Sequence, residues 1–225
     1  MFHSRVRSVI LTLALTTVFA LPAVGQASDK DRICSQIQNR TFTVGSWASY
    51  NWTGGQSNGS TLRMAVVDSE SHEGTTYFWY EVTIADPTRP KGNMIMQMLV
   101  PGLGKAANVR SVVMKSGDQP AMRLPPQMIQ MINSSPGMNM AADLARQCQE
   151  MDVVGWEQVT VPGGAFRALH LRQPRTGMVS EVWVQPDLEF GMVKATLKDG
   201  GVMDLAAQGT GAKSSITETP LEMPH

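Results

Sequence analysis

Apolar positions recur at two different periods along the chain, and the switches between them organise it. Phe42, Val44, Ala48, Tyr50 and Trp52 fall at even spacings, the mark of one face of a β-strand. Leu62, Met64 and Val66 repeat the alternation. Thr76, Phe78, Tyr80, Val82 and Ile84 then share a face, with Trp79 on the other. Gly54-Gly55 and Asn58-Gly59 supply turn residues, and Asp86-Pro87 through Pro90 breaks the pattern again. Strands are expected over 93–100, ended by Pro101-Gly102, and over 109–115. From Val153 onward alternation returns: 159–161, 166–172, 179–185, 190–197 and 202–207, separated by Gly and Pro turns.

Three stretches follow a helical period instead. Residues 28–39 place Ile33 and Ile37 four apart beside Cys34, with Ser28 or Asp29 as cap. Pro125-Pro126 suits a helix start, and Met128, Met131 and Ile132 follow at helical spacing. Asn139 can cap a second central helix carrying Met140, Leu144 and Cys148 at four-residue steps. The expected fold is mostly β (α+β). A single strongly curved antiparallel sheet, a half-barrel of about ten strands, takes an N-terminal helix and two short central helices as a lid over its apolar face. Residues 28–208 form this domain, and the Ser/Thr/Pro-rich tail 209–225 reads as flexible.

The N-terminus changes the picture from fold to compartment. Arg5 and Arg7 precede an apolar run from Val9 to Leu21, then Pro22 and the small pair Gly25 and Ala27. That is a secretory signal peptide over 1–27, with an apolar run too short to span a bilayer. No Cys follows the cut and the arginines are not adjacent, so neither a lipoprotein nor a twin-arginine signal is indicated. The protein is expected in the periplasm or secreted, without a transmembrane segment after cleavage. The signal takes two of the 19 basic residues, leaving 17 against 19 acidic ones and a net charge near −2. So balanced a chain offers no electrostatic footprint for nucleic acid. In an oxidising compartment Cys34 and Cys148 read as one disulfide. The alternative, free thiols or a soft-metal pair, has no CxxC or Cys/His cluster behind it.

Candidate chemistry is sparse. His72 and His170 lack an evident catalytic partner, and the serines lack a G-x-S-x-G context. Gly102-Leu103-Gly104-Lys105 fails the phosphate-loop spacing, because Leu99 stands where the first Gly belongs. Asp68, Glu70 and Glu73 read as a solvated loop rather than a Ca²⁺ site. No enzyme activity and no cofactor are expected. The methionines are the unusual feature: ten of the sixteen lie between Met94 and Met151. Met94, Met96 and Met98 alternate on one strand face. Three readings compete: flexible core filler, an adaptable lining for an apolar ligand, and Cu(I) binding through thioethers. Under the second, the ligand-binding residues are Met94, Met96, Met98, Met128, Met131 and Ile132.

The segment Gly155-Trp156-Glu157-Gln158-Val159-Thr160-Val161-Pro162-Gly163-Gly164-Ala165-Phe166 resembles a G-x-E-x-V-x-V-P-A-G-x-F strand–turn–strand signature. That signature is found in LolA/LolB-like exported half-barrel proteins, relatives of the periplasmic lipoprotein carriers. Gly163 stands where the signature more usually has Ala. The element order, a leading helix, about ten strands and central helices, is similar to that fold. The resemblance implies a carrier that takes acyl chains in an apolar groove. None of the carriers' own functional residues maps onto this chain. The combined expectation is a soluble periplasmic binding or carrier protein whose partner is an apolar small molecule or a lipidated protein. A non-enzymatic envelope interaction protein and a Met-rich Cu(I)-binding protein are the alternatives.

Overall fold

A computed structural model describes residues 24–88, 92–102, 109–134, 148–174 and 179–223. Residues 1–23 of the expected signal peptide lie outside the described residues, as does most of the second central helix. No helix among the described residues is long and apolar enough to cross a membrane.

The described residues begin with α1 (Val24–Gln38), followed by β1 (Trp47–Thr53), β2 (Thr61–His72), β3 (Thr75–Ala85), β4 (Met94–Val100), β5 (Ser111–Ser116) and β6 (Met122–Arg123). After α2 (Pro126–Ser134) come β7 (Asp152–Val161), β8 (Gly164–Arg172), β9 (Val179–Val184), β10 (Met192–Leu197), β11 (Val202–Gly209) and β12 (Leu221–Glu222). One sheet holds all twelve described strands, in the order β12-β6-β5-β4-β3-β2-β1-β11-β10-β9-β8-β7. Two antiparallel meanders, β1–β6 and β7–β11, are thus joined where β1 pairs with β11. Ten strands match the alternating segments of the sequence. The other two, β6 and β12, are two residues each and too short to leave a period.

Local chemistry explains the hairpins and the curl. Glu73 and Gly74 form the two-residue β2–β3 turn with φ of 51° and 78°, the paired left-handed geometry that matches strand twist. Bulges in the β1–β11, β2–β3, β7–β8 and β9–β10 pairings bend the strands and coil the sheet. The coil brings the β7–β8 turn back onto β11, where the Gly163 N–H donates to the Leu205 carbonyl at 2.8 Å. A Cβ at Gly163 would stand 2.9 Å from that oxygen. The close approach accounts for Gly where the signature more usually carries Ala.

The inner face carries one continuous core, including Tyr50, Val66, Tyr80, Val112, Leu169, Leu171, Val193 and Leu205. Ile33 and Cys34 of α1 are fully buried in it. Cys34 bonds Cys148 (S–S 2.01 Å), stapling α1 to the chain just ahead of the edge strand β7. Lys30 Nζ donates to the carbonyls of Gln149 and Met151, both at 3.1 Å, and reinforces the same junction.

Three expectations need correction. Residues 42–46 do not extend β1. Gly45 turns the chain there with φ 91°, and Val44 is exposed while Phe42 packs between Phe78 and Tyr80. Asp68 and Glu70 are not loop residues but lie on the long β2. The tail, expected to be flexible, is laid against the sheet over 210–218. Residues 210–218 cross the outer face of β1–β5 as a strap, with Ala212 and Ile216 buried, before β12 pairs with β6. Composition misled because the tail's serines are engaged by side chains of the sheet. They serve a buried carboxylate: Glu81, 1 % exposed, accepts from the Ser215 N–H (2.9 Å), Ser215 Oγ (2.7 Å) and Gln97 Nε2 (2.7 Å).

Candidate functional site

Strand register gathers the methionines more widely than sequence spacing implied. On β4, Met94, Met96 and Met98 share the inner face, and their partners on β3 are Ile84, Val82 and Tyr80. On the other side Met96 pairs with Met114 and Met98 with Val112. Met114 pairs in turn with Met122. Across β2, Met64 pairs with Val82 and Leu62 with Ile84. Directly paired residues point to the same face of a sheet. The result is a cross-strand row, Met64–Val82–Met96–Met114–Met122, flanked by Leu62, Ile84 and Met98. Apart from the buried Val82, all of these are only partly buried, although they lie on the face that elsewhere holds the core.

The six sequence-selected residues separate. Met96, Met98 and Ile132 pack against the same core. Met94 at the strand end is 39 % exposed, and Met128 and Met131 on α2 are 40 % and 56 % exposed. The helix is turned so that Ile129 and Ile132, not the methionines, face the core. Asn133 sets that rotation: its side chain accepts from the Val109 N–H at 3.1 Å and donates to the Val109 carbonyl at 3.0 Å. An amide clamp of this kind leaves no trace in the apolar period. Leu62, Met64, Met114 and Met122 were missed because only strand register, which no single segment reveals, brings them beside β4.

The outer face is built differently. Glu157, the signature's acid on β7, accepts from His170 Nδ1 (2.9 Å, with that nitrogen protonated) and from Trp183 Nε1 (2.9 Å). It therefore ties three neighbouring strands together. His170 is 5 % exposed and stacks on Trp183 with ring centres 4.2 Å apart, and Glu181 lies 3.7 Å from its Nε2. The bonds from Trp183 and His170 hold the Glu157 carboxyl below the usual glutamate range. Two more indoles repeat the device, Trp79 on this outer face and Trp156 on the inner face, where it pairs with Leu169 and meets α1. Trp156 Nε1 donates to Asp29 at 2.8 Å and Trp79 Nε1 to Glu70 at 2.5 Å. Each carboxyl is lowered, chiefly by that bond. The histidine dismissed as partnerless thus has partners, but they form a structural anchor.

A cleft of about 460 Å³ opens at the β6 edge, lined by Arg110, Arg123, His72, Trp79, Leu99 and Glu222 among others. Arg110 lies 5.2 Å from the Tyr77 ring centre. Arg123 donates to Ser111 Oγ at 2.6 Å and pairs with Glu222 at 3.3 Å. No group of three or more His, Cys, Asp or Glu poised to hold a metal occurs among the described residues.

No family model matches the chain, and no curated protein matches it. Among solved structures it is similar to a protein from Bacteroides fragilis described as exported and YmcC-like in fold. Identity is 12 %, over 75 % of this chain and 97 % of that one, with a TM-score of 0.38. It is also similar to the complex structure of Pseudomonas aeruginosa MucA/MucB, at 13 % identity, 84 % of this chain, 59 % of that chain and a TM-score of 0.45. A third likeness, to a protein from Parabacteroides distasonis described as a lipoprotein, has 13 % identity, 76 % and 100 % coverage and a TM-score of 0.35. The chain spans less than two thirds of the MucA/MucB match. All three TM-scores lie below 0.5, so the functional reading rests on this chain's own residues.

Proposed function

We propose that this protein is an exported, non-enzymatic binding protein that carries an apolar ligand, an acyl chain of a lipid or lipidated protein, on the inner face of its sheet. The observation that supports this is the partly exposed row Met64, Met96, Met114 and Met122 with Leu62, Ile84 and Met98 beside it. Flexible thioether side chains accommodate ligands of variable shape without a rigid pocket. Met94, Met128 and Met131 rim this surface in the proposal, and Ile132 supports it from the core side. The signal peptide and the LolA/LolB-like hairpin signature point the same way: an acyl chain crossing a watery compartment needs cover.

Titration with a fluorescent fatty acid tests the reading. Saturable binding is expected, weakened at least tenfold by Met96→Glu, which puts a charge in the middle of the row. Absence of saturable binding, or indifference to Met96→Glu in a folded variant, overturns it. The register also favours a second reading. It sets the thioethers of Met96, Met114 and Met122 on adjacent strands, a soft donor set suited to Cu(I). Stoichiometric Cu(I) uptake without acyl binding would select that reading instead.

A further inference from the structure

The last strand of the sheet is held unlike the tail that leads to it. The strap is buried at Ala212 and Ile216 and bonded to Glu81. Glu218 meets Lys115 and accepts from the Ala121 N–H at 3.3 Å. Past Thr219-Pro220 the grip slackens. Leu221 is 54 % exposed, and the Glu222 side chain is 74 % exposed. β12 donates two backbone hydrogen bonds to the β6 edge, Leu221 N–H to the Ala121 carbonyl at 2.8 Å and Met223 N–H to the Arg123 carbonyl at 3.1 Å. Its one charged contact among the described residues is Glu222 on Arg123 at 3.3 Å.

Those contacts describe how a strand-shaped peptide sits on this edge. Backbone groups of 121–123 supply the ladder, Arg123 reads an acid, and Met223 reaches the inner core. The adjoining cleft is larger than the tail needs. Arg110 faces it from the Tyr77 ring and has no carboxylate partner among the described residues. Glu70, the cleft's other acid, is already engaged by Trp79 and His72. With Glu222 withdrawn, the two guanidinium groups face that single carboxylate, and the cleft favours an anion.

The geometry points to the β6 edge as a docking site for an extended acidic peptide of a partner protein, added parallel to β6, with the chain's own residues 221–223 as an exchangeable occupant. The partner segment carries an acid between apolar residues, and a second acid within reach of Arg110 strengthens it. This inference is independent of the apolar-ligand reading.

The test uses the full chain and a fluorescein-labelled peptide of the sequence Thr-Pro-Leu-Glu-Met, copied from residues 219–223. In the variant Leu221→Pro/Glu222→Lys, one ladder donor is lost and the acid is reversed. The peptide is expected to bind this variant at least tenfold more tightly than the wild type, and adding Arg123→Gln removes the gain. A folded variant that shows no gain, or that binds a peptide with Lys in place of Glu equally well, overturns the proposal. Amide exchange in the wild type gives a check that needs no variant. Leu221 and Met223 are expected to exchange at least tenfold faster than Ala212 and Ser215. Equal protection would show that β12 is fixed and overturn the proposal.

Discussion

The two faces of the sheet solve opposite problems. On the outer face two carboxylates are given specific partners: Glu81 has the strap, and Glu157 accepts from His170 and Trp183. On the inner face the β7–β11 half is closed by α1 and the disulfide, but the methionine row of β2–β6 remains half-exposed. Burial on the outer face is specific and polar, whereas the inner row relies on flexible, apolar and replaceable side chains. Under the proposed reading, stability and binding fall to different surfaces, so a substitution should affect one and spare the other.

The largest expected effect breaks the cover of the inner face. Reducing Cys34–Cys148, which are 114 residues apart in sequence, removes up to about 4–5 kcal/mol of loop-closure stabilisation. Urea midpoints with and without reductant measure it, and equal midpoints would mean that α1 is held by packing alone. Next comes Glu81→Ala. It strands Ser215 and Gln97 without their acceptor and should cost about 3 kcal/mol. Glu81→Gln keeps an acceptor oxygen and should cost less. A loss well under 1 kcal/mol, by the same buried-group reasoning, would show the strap to be ornamental.

Gly163→Ala should cost about 1–3 kcal/mol in denaturant unfolding, because its Cβ meets the Leu205 carbonyl. No cost would mean that the hairpin yields easily. Smaller still is Met96→Ala, at about 1 kcal/mol for a side chain that is only partly buried. Acyl-probe affinity should fall while Tm drops by only about 2–4 °C.

Acidification probes the indole-bonded carboxylates, two on the outer face and Asp29 on α1. The folded-state values of Asp29, Glu70 and Glu157 lie below their ordinary ones, chiefly through indole N–H bonds. Their contribution is complete above the ordinary carboxylate range and is lost as pH falls through the lowered values. All three are well solvated, so the effect is modest. Trp183→Phe should flatten the acid limb of stability against pH, and an unchanged limb would contradict the assigned cause.

Much of this was legible in the alternation of Phe78, Tyr80 and Val82 or of Met94, Met96 and Met98, because a period of two survives any register. The disulfide followed from compartment and count. The rotation of α2 was not legible, since it rests on Asn133 clasping both backbone groups of Val109, 24 residues away. Nor was the strap, whose polar composition is also that of a solvated tail until Glu81 is known to lie beneath it. The full methionine row was hidden for a third reason: Met64, Met114 and Met122 join Met96 through pairings between strands, which no single segment encodes.

The central claim is that the inner row, and not the core or the outer face, receives an apolar chain. Methyl-labelled methionine spectra, recorded during titration with a fatty acid, test it directly. Shifts are expected at Met64, Met96, Met98, Met114 and Met122, with the buried Met151 and Met203 unmoved. Shifts confined to Met151 and Met203, or none at all at saturating ligand, would contradict it.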